Sequence, residues 1–94
     1  MEYLTRDPID ASAWHKPAVD ARDGASVEFQ GLVRREEEGT PIVCLEYETY
    51  APMAERLIAR LVEQARGRWP VREVCVQHRF GRIPVGHLAL FVGV

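Results

Sequence analysis

Ninety-four residues leave room for a single domain over 1–94, and a chain this short buries only about 60–65% of the surface its unfolded form exposes. A hydrophobic content of 47% excludes a disordered chain, and a net charge of −2 argues against a general nucleic-acid binder. All but one of the 12 basic residues are arginines, the exception being Lys16, so a local site for phosphate or carboxylate stays open.

In chain order, "EYLTR" reads as a first short strand. "DASAWHKPAV" suits one or two helical turns, with Asp10 as N-cap and Pro17 as a stop. "GASVEFQGLVRR" alternates: Ala25, Val27, Phe29, Gly31 and Val33 share one side, and Ser26, Glu28, Gln30, Leu32 and Arg34 the other. That pattern predicts a half-buried strand. "EEEGTP" breaks it as a charged turn, and "IVCLEYETY" resumes a period of two, so the two strands are expected to form a hairpin with a long loop.

"APMAERLIARLVEQARGRWP" predicts the long helix. Pro52 fits its first turn, Met53, Leu57, Ile58, Leu61, Val62 and Ala65 make an apolar stripe expected in the core, and Glu55 falls on the polar side. Gly67 and Pro70 are its expected stop. "VREVCVQHRF" is a further strand with Val74, Val76, His78 and Phe80 on one face, and Gly81-Arg82 is read as the turn of a final hairpin. "IPVGHLALFVGV" is apolar on both faces, as a strand central in a sheet, or one covered by a partner on its second side, would be. The fold class expected is therefore α+β, with a mainly antiparallel sheet, one long helix and one short helix.

Two cysteines, Cys44 and Cys75, are too few for a disulfide framework and read as buried thiols of a reducing compartment. No charged-then-apolar N-terminal signal occurs, and no apolar run approaches the ~20 residues of a membrane helix, so a cytoplasmic location with no membrane contact is expected. Cys75 and His78 are three apart on a strand and face opposite ways, which disfavours a metal site. His78 and His87 flank Gly81 at similar distances and are read as structural histidines, able to face each other across the last hairpin. No glycine-rich phosphate loop or nucleophile elbow is present. The arginines at strand ends, Arg34, Arg35, Arg79 and Arg82, carry the remaining interest. A guanidinium held at the end of a rigid strand can meet an anion, although a solvated edge arginine is the ordinary alternative.

The segments "DGASVEFQGLVR", "LEYETYAPMAE" and "ARGRWPVREVCVQHRFGRIPVGHLALFVGV" together resemble the large, catalytic subunit of molybdopterin synthase, from about residue 23 to 94. The resemblance implies an α/β hammerhead-type architecture, a homodimer of large subunits, and a small ubiquitin-like sulfur-carrier subunit with a thiocarboxylate tail. It implies sulfur transfer to cyclic pyranopterin monophosphate without a metal or redox cofactor. Carried onto this sequence, the substrate-contacting stretch falls on Leu32, Val33 and Arg34, with Arg34 meeting the anionic groups of the pterin and Phe29 lining the wall nearby. Leu32 stands where some members carry Lys. In the family, the strand matching "LALFVGV" leads into Ser-Ala-His-Arg and a lysine-bearing segment, and Lys16 matches no such position. The resemblance therefore implies no catalytic residue within these 94, and a chain not competent alone: a naturally shortened homologue, one half of a split enzyme, or a shortened gene. A non-catalytic dimeric scaffold or regulator is the alternative.

Overall fold

The computed structural model describes residues 2–14 and 20–94. In chain order the strands are β1 (Leu4–Thr5), β2 (Glu28–Leu32), β3 (Glu36–Glu37), β4 (Thr40–Pro41) and β5 (Cys44–Tyr47). The helix α1 (Ala51–Arg68) follows, and then β6 (Cys75–Arg79), β7 (Gly81–Pro84) and β8 (Leu88–Gly93). Asp10 caps a short 3-10 turn, Ala11–Trp14, by accepting from the Ser12 backbone N–H at 3.0 Å and its hydroxyl at 2.6 Å. The rest of that expected helical segment, including Lys16 and Pro17, lies outside the described residues.

The segment that is apolar on both faces is central, as its pattern predicts. β8 lies between β6 and β2, antiparallel to both, in a four-stranded sheet of order β1-β6-β8-β2, and β1 joins β6 in parallel. Phe91 of β8 is almost fully buried and meets Trp14 edge-on, with ring centroids 6.5 Å apart. Trp14 in turn lies over Gly93, where the absence of a side chain leaves room for the indole. The antiparallel-dominated α+β architecture is thus the one expected.

Pairing partners differ from the sequence expectation in two places. β2 and β5 do not form a hairpin: β2 pairs with β8, and β5 pairs with β7 in a separate two-stranded sheet. Between them the chain closes its own small hairpin, β3–β4, through Glu38 (φ 49°) and Gly39 (φ 81°). Two successive left-handed residues are what a two-residue type I′ turn requires. That tight closure uses up the local connection and leaves the longer strands to pair with distant ones. Likewise Gly81 (φ 83°) is a corner that carries the chain from β6 in one sheet to β7 in another. The tight turn comes later, at Gly86 (φ 84°). His78 is consequently in register with Leu90, not His87, and its ring lies 4.8 Å from that of Tyr47.

Burial departs from the pattern as well. Along β2, an edge strand, Phe29 is exposed, as is Val27 just before it, and only Val33 just beyond the strand is buried. A bulge between Gly31 and Leu32 breaks the simple alternation there. The helix runs through Gly67 to Arg68 and stops when the Trp69 N–H bonds to the Ala65 carbonyl at 3.0 Å, just before Pro70. No residue of α1 is fully buried, and Met53, expected in the core, is 51% exposed, with Leu57 and Leu61 also open. Ile58, Val62 and Ala65 are the half-buried part of the stripe. Cys44 and Cys75 are free, and half-buried where full burial was expected.

Candidate functional site

The end of β2 is held more firmly than an edge strand usually is. The Val33 N–H donates to the His87 carbonyl at 3.1 Å, and the Gly86 N–H donates to the Val33 carbonyl at 2.9 Å. Val33 is 6% exposed, so its side chain seats the backbone in the core while its peptide groups join the β7–β8 turn. One residue further on, Arg34 is exposed, and its Nη2 lies 2.7 and 2.6 Å from the two carboxylate oxygens of Glu37. An ion pair this open to water is weak and salt-screened, so an anionic ligand can compete with Glu37 for the Arg34 guanidinium. The result is a rigid backbone that carries Arg34, paired with Glu37, to the surface, with exposed Arg35 beside it.

Of the residues singled out from sequence, Val33 and Arg34 are therefore adjacent to a structured turn. Leu32, 56% exposed, sits beyond the bulge, and Phe29, 58% exposed, lies mid-strand beside Gly31. Phe29 offers an apolar surface on the strand that ends in Arg34, which is compatible with a wall for a flat ring. Arg79 behaves unlike the other strand-end arginines. It is 7% exposed, its Nη1 lies 3.1 Å from His87 Nδ1, and its Nε has no partner. The structural reading of both histidines agrees with their contacts. Nδ1 of His78 stands 2.9 Å from the Arg79 carbonyl, which can only accept, so that nitrogen carries the proton.

A second basic place lies at the Gly81 corner. Arg6 stacks over Phe80, 4.3 Å from the ring centroid, beside a cleft of about 420 Å³ that Arg82, Glu46 and Glu48 also line. The mixture of signs makes it a poor anion trap. Another cleft, of about 530 Å³, is bounded by Trp14, Cys75, Phe91 and the acidic side chains of Glu2, Asp10 and Glu73. Burial there pushes the Cys75 thiol up from its ordinary value, which keeps it protonated and unreactive. Among the described residues no three His, Cys, Asp or Glu side chains are grouped to hold a metal ion. No helix among them is long and apolar enough to cross a membrane.

Two scaffolding contacts were not legible as such. Glu55, placed by its sequence position on the polar side of the helix, accepts from the Tyr3 N–H at 2.9 and 3.1 Å and from the Leu4 N–H at 2.7 Å. Its spacing from Ile58 and Val62 would have put it on the inward arc, so a helical wheel held the signal. Arg72 grips Asp23 through two nitrogens at 2.8 and 2.6 Å, with Asp20 3.6 Å away. Hydrogen bonds from Arg22 hold Asp20 at a pKa of about 2, and those from Arg72 hold Asp23 below its ordinary value. No local pattern announces a pair 49 residues apart.

Comparison with known proteins gives the family and the fold. The sequence model of the family described as MoaE protein matches residues 4–94. The molybdopterin synthase catalytic subunit of Nostoc sp. is 37% identical over 92 residues, which is 97% of this chain and 56% of that protein. Its counterpart in Escherichia coli K12 is 43% identical over 72 residues, covering 77% of this chain and 48% of its own length. The human protein of the same name is 38% identical over 71 residues, 76% of this chain and 38% of its own. The chain thus spans between a quarter and about three fifths of the length of curated relatives such as these. The X-ray structure of molybdopterin synthase from Staphylococcus aureus superposes with a TM-score of 0.85 at 28% identity, covering 97% of this chain and 66% of that one.

Proposed function

The chain belongs to the MoaE protein family, and from that premise we propose that it serves molybdopterin formation, as the platform on which a pyranopterin monophosphate receives sulfur. The observation that carries this reading is the seating of Arg34, open to solvent on a strand end held by two backbone hydrogen bonds. A phosphate or a carboxylate is the kind of group a preoriented guanidinium meets well, through short charge-assisted hydrogen bonds, and the cyclic phosphate of the pyranopterin supplies one. In this reading Arg34 meets the phosphate, the peptide groups around Leu32 and Val33 fix its approach, and Phe29 flanks the pterin. Phe29 and Leu32 are both exposed, which supports a role in contact with a ligand or partner.

The partners proposed are a second copy of the chain and a small ubiquitin-like subunit carrying a thiocarboxylate, in the cytoplasm. Sulfur transfer from an acyl group needs a positioned cation or amine to steady the developing charge. These 94 residues hold one lysine, Lys16. By themselves they are therefore expected to bind rather than to turn over. The alternative, a dimeric scaffold without catalysis, draws support from the open apolar surface of α1 and β2.

The test uses the 94-residue chain, thiocarboxylated small subunit and cyclic pyranopterin monophosphate. The expected result is binding of both, no molybdopterin, and an affinity for the pterin lowered about tenfold or more by Arg34→Ala. Robust turnover would refute the dependence on cations outside these residues. Dimerisation with no binding of either component would favour the scaffold.

A further inference from the structure

Among the described residues Arg79 is the one buried charged side chain, and none of the ion pairs formed among them includes it. A guanidinium only donates hydrogen bonds. The contact of Nη1 with His87 Nδ1 at 3.1 Å therefore requires a lone pair on Nδ1 and places the ring proton on Nε2. With Nε unpartnered, the His87 lone pair is the side-chain acceptor on which this buried cation depends. Such a group is costly to leave unpaired, so the imidazole is held where it stands.

His87 also belongs to the turn that brackets the strand end. Its N–H donates to the Pro84 carbonyl at 3.1 Å, and its own carbonyl receives the Val33 N–H. Moving the ring moves this turn, and the turn carries both backbone bonds to Val33. We propose that His87 is a positioning residue: by accepting from Arg79 it locks the β7–β8 turn, which fixes Val33 and so the direction in which Arg34 leaves the strand. The assignment rests on the reading of Arg34 as the anion contact, but the lock itself is measurable without any ligand.

Two substitutions separate acceptor chemistry from packing. His87→Asn keeps an amide oxygen close to the place of Nδ1, whereas His87→Leu fills similar volume and accepts nothing. Amide hydrogen exchange at Val33 and Gly86 should quicken about tenfold or more in the leucine variant, the effect of losing one charge-assisted hydrogen bond, while α1 amides stay within about twofold. The asparagine variant should recover most of that protection, and the affinity for cyclic pyranopterin monophosphate should follow the same order. Unchanged exchange in the leucine variant, or an asparagine variant that behaves like it, would overturn the inference. If the leucine variant fails to fold, NMR of the wild-type imidazole decides, because a proton on His87 Nδ1 is incompatible with the lock. Loosened amides together with an Arg34→Ala variant of undiminished affinity would support the lock and remove Arg34 from the ligand site. Affinity that needs Arg34 but ignores His87→Leu would do the reverse.

Discussion

Gly93→Ala is a one-carbon change with a sharp expected effect. A Cβ at this position would stand 2.5 Å from Trp14 Cε2, 2.8 Å from Nε1 and 2.9 Å from Cδ2. Carbon contacts settle at roughly 3.5–4.0 Å, so the indole must retreat by about 1 Å. It has little room to do so, since Trp14 is mostly buried and packs edge-on against Phe91. The strand cannot yield either, because Gly93 pairs with Glu28 on one side and Cys75 on the other. Overpacking of this kind costs about 1–3 kcal/mol, and complete expulsion of a tryptophan sets a ceiling of about 3–5 kcal/mol. A loss of about 2–3 kcal/mol is therefore expected, a large part of the ~5–15 kcal/mol that stabilises a small domain. In thermal unfolding this corresponds to a drop of about 10–20 °C.

The decisive assay is a double-mutant cycle with Trp14→Ala, measured by urea unfolding with circular dichroism, and indole fluorescence in a Trp69→Phe background reports the setting of Trp14 in the proteins that keep it. If contact with the indole is the cause, Gly93→Ala should cost almost nothing once Trp14 is alanine. Gly31→Ala is the control, because a Cβ there meets Leu90 and Phe29 at ordinary distances of 3.5 Å and beyond. A Gly93→Ala protein as stable as wild type, or one equally destabilised in both backgrounds, would refute the reasoning.

Glu55→Ala should release the N-terminal strand, since the Tyr3 and Leu4 amides lose their acceptor. A loss of about 1–3 kcal/mol is expected in urea unfolding, with faster exchange at both amides, and Glu55→Gln should fall in between. Ile83→Ala removes a side chain with no exposed surface and should cost about 2–5 kcal/mol by the same measurement. The Asp20, Asp23 and Arg72 clasp sets an acid limit. Hydrogen bonds from Arg72 hold Asp23 below its ordinary value in the folded chain, so the contribution of that pair is complete above about pH 4 and fades as the pH falls below it. The difference in urea midpoint between wild type and Arg72→Gln should accordingly shrink between pH 6 and pH 2.5. A gap that stays constant would show that the clasp does not contribute through charge.

Periodicity and punctuation alone determined the element types. Proline near the start and the 3.6-residue repeat gave away α1, and apolar residues on both faces of 88–93 marked a strand either central in a sheet or covered by a partner, of which the structure shows the first. The left-handed pair Glu38-Gly39 was legible as a turn. Arg34 stood out because an arginine closing an alternating strand has a fixed backbone beneath it. Which strands would meet was settled only in three dimensions. A repeat of two shows that a strand has two faces, but not which distant edge will pair with it, and β2 found β8 some sixty residues later. The same limit hid the burial of Arg79, whereas the inward position of Glu55 was readable from its helical spacing to Ile58 and Val62. Local pattern fixes what each segment prefers to be. The summed pairing and packing of segments far apart in the chain decides which side chains share a site, and that sum has no signature within any single window of sequence.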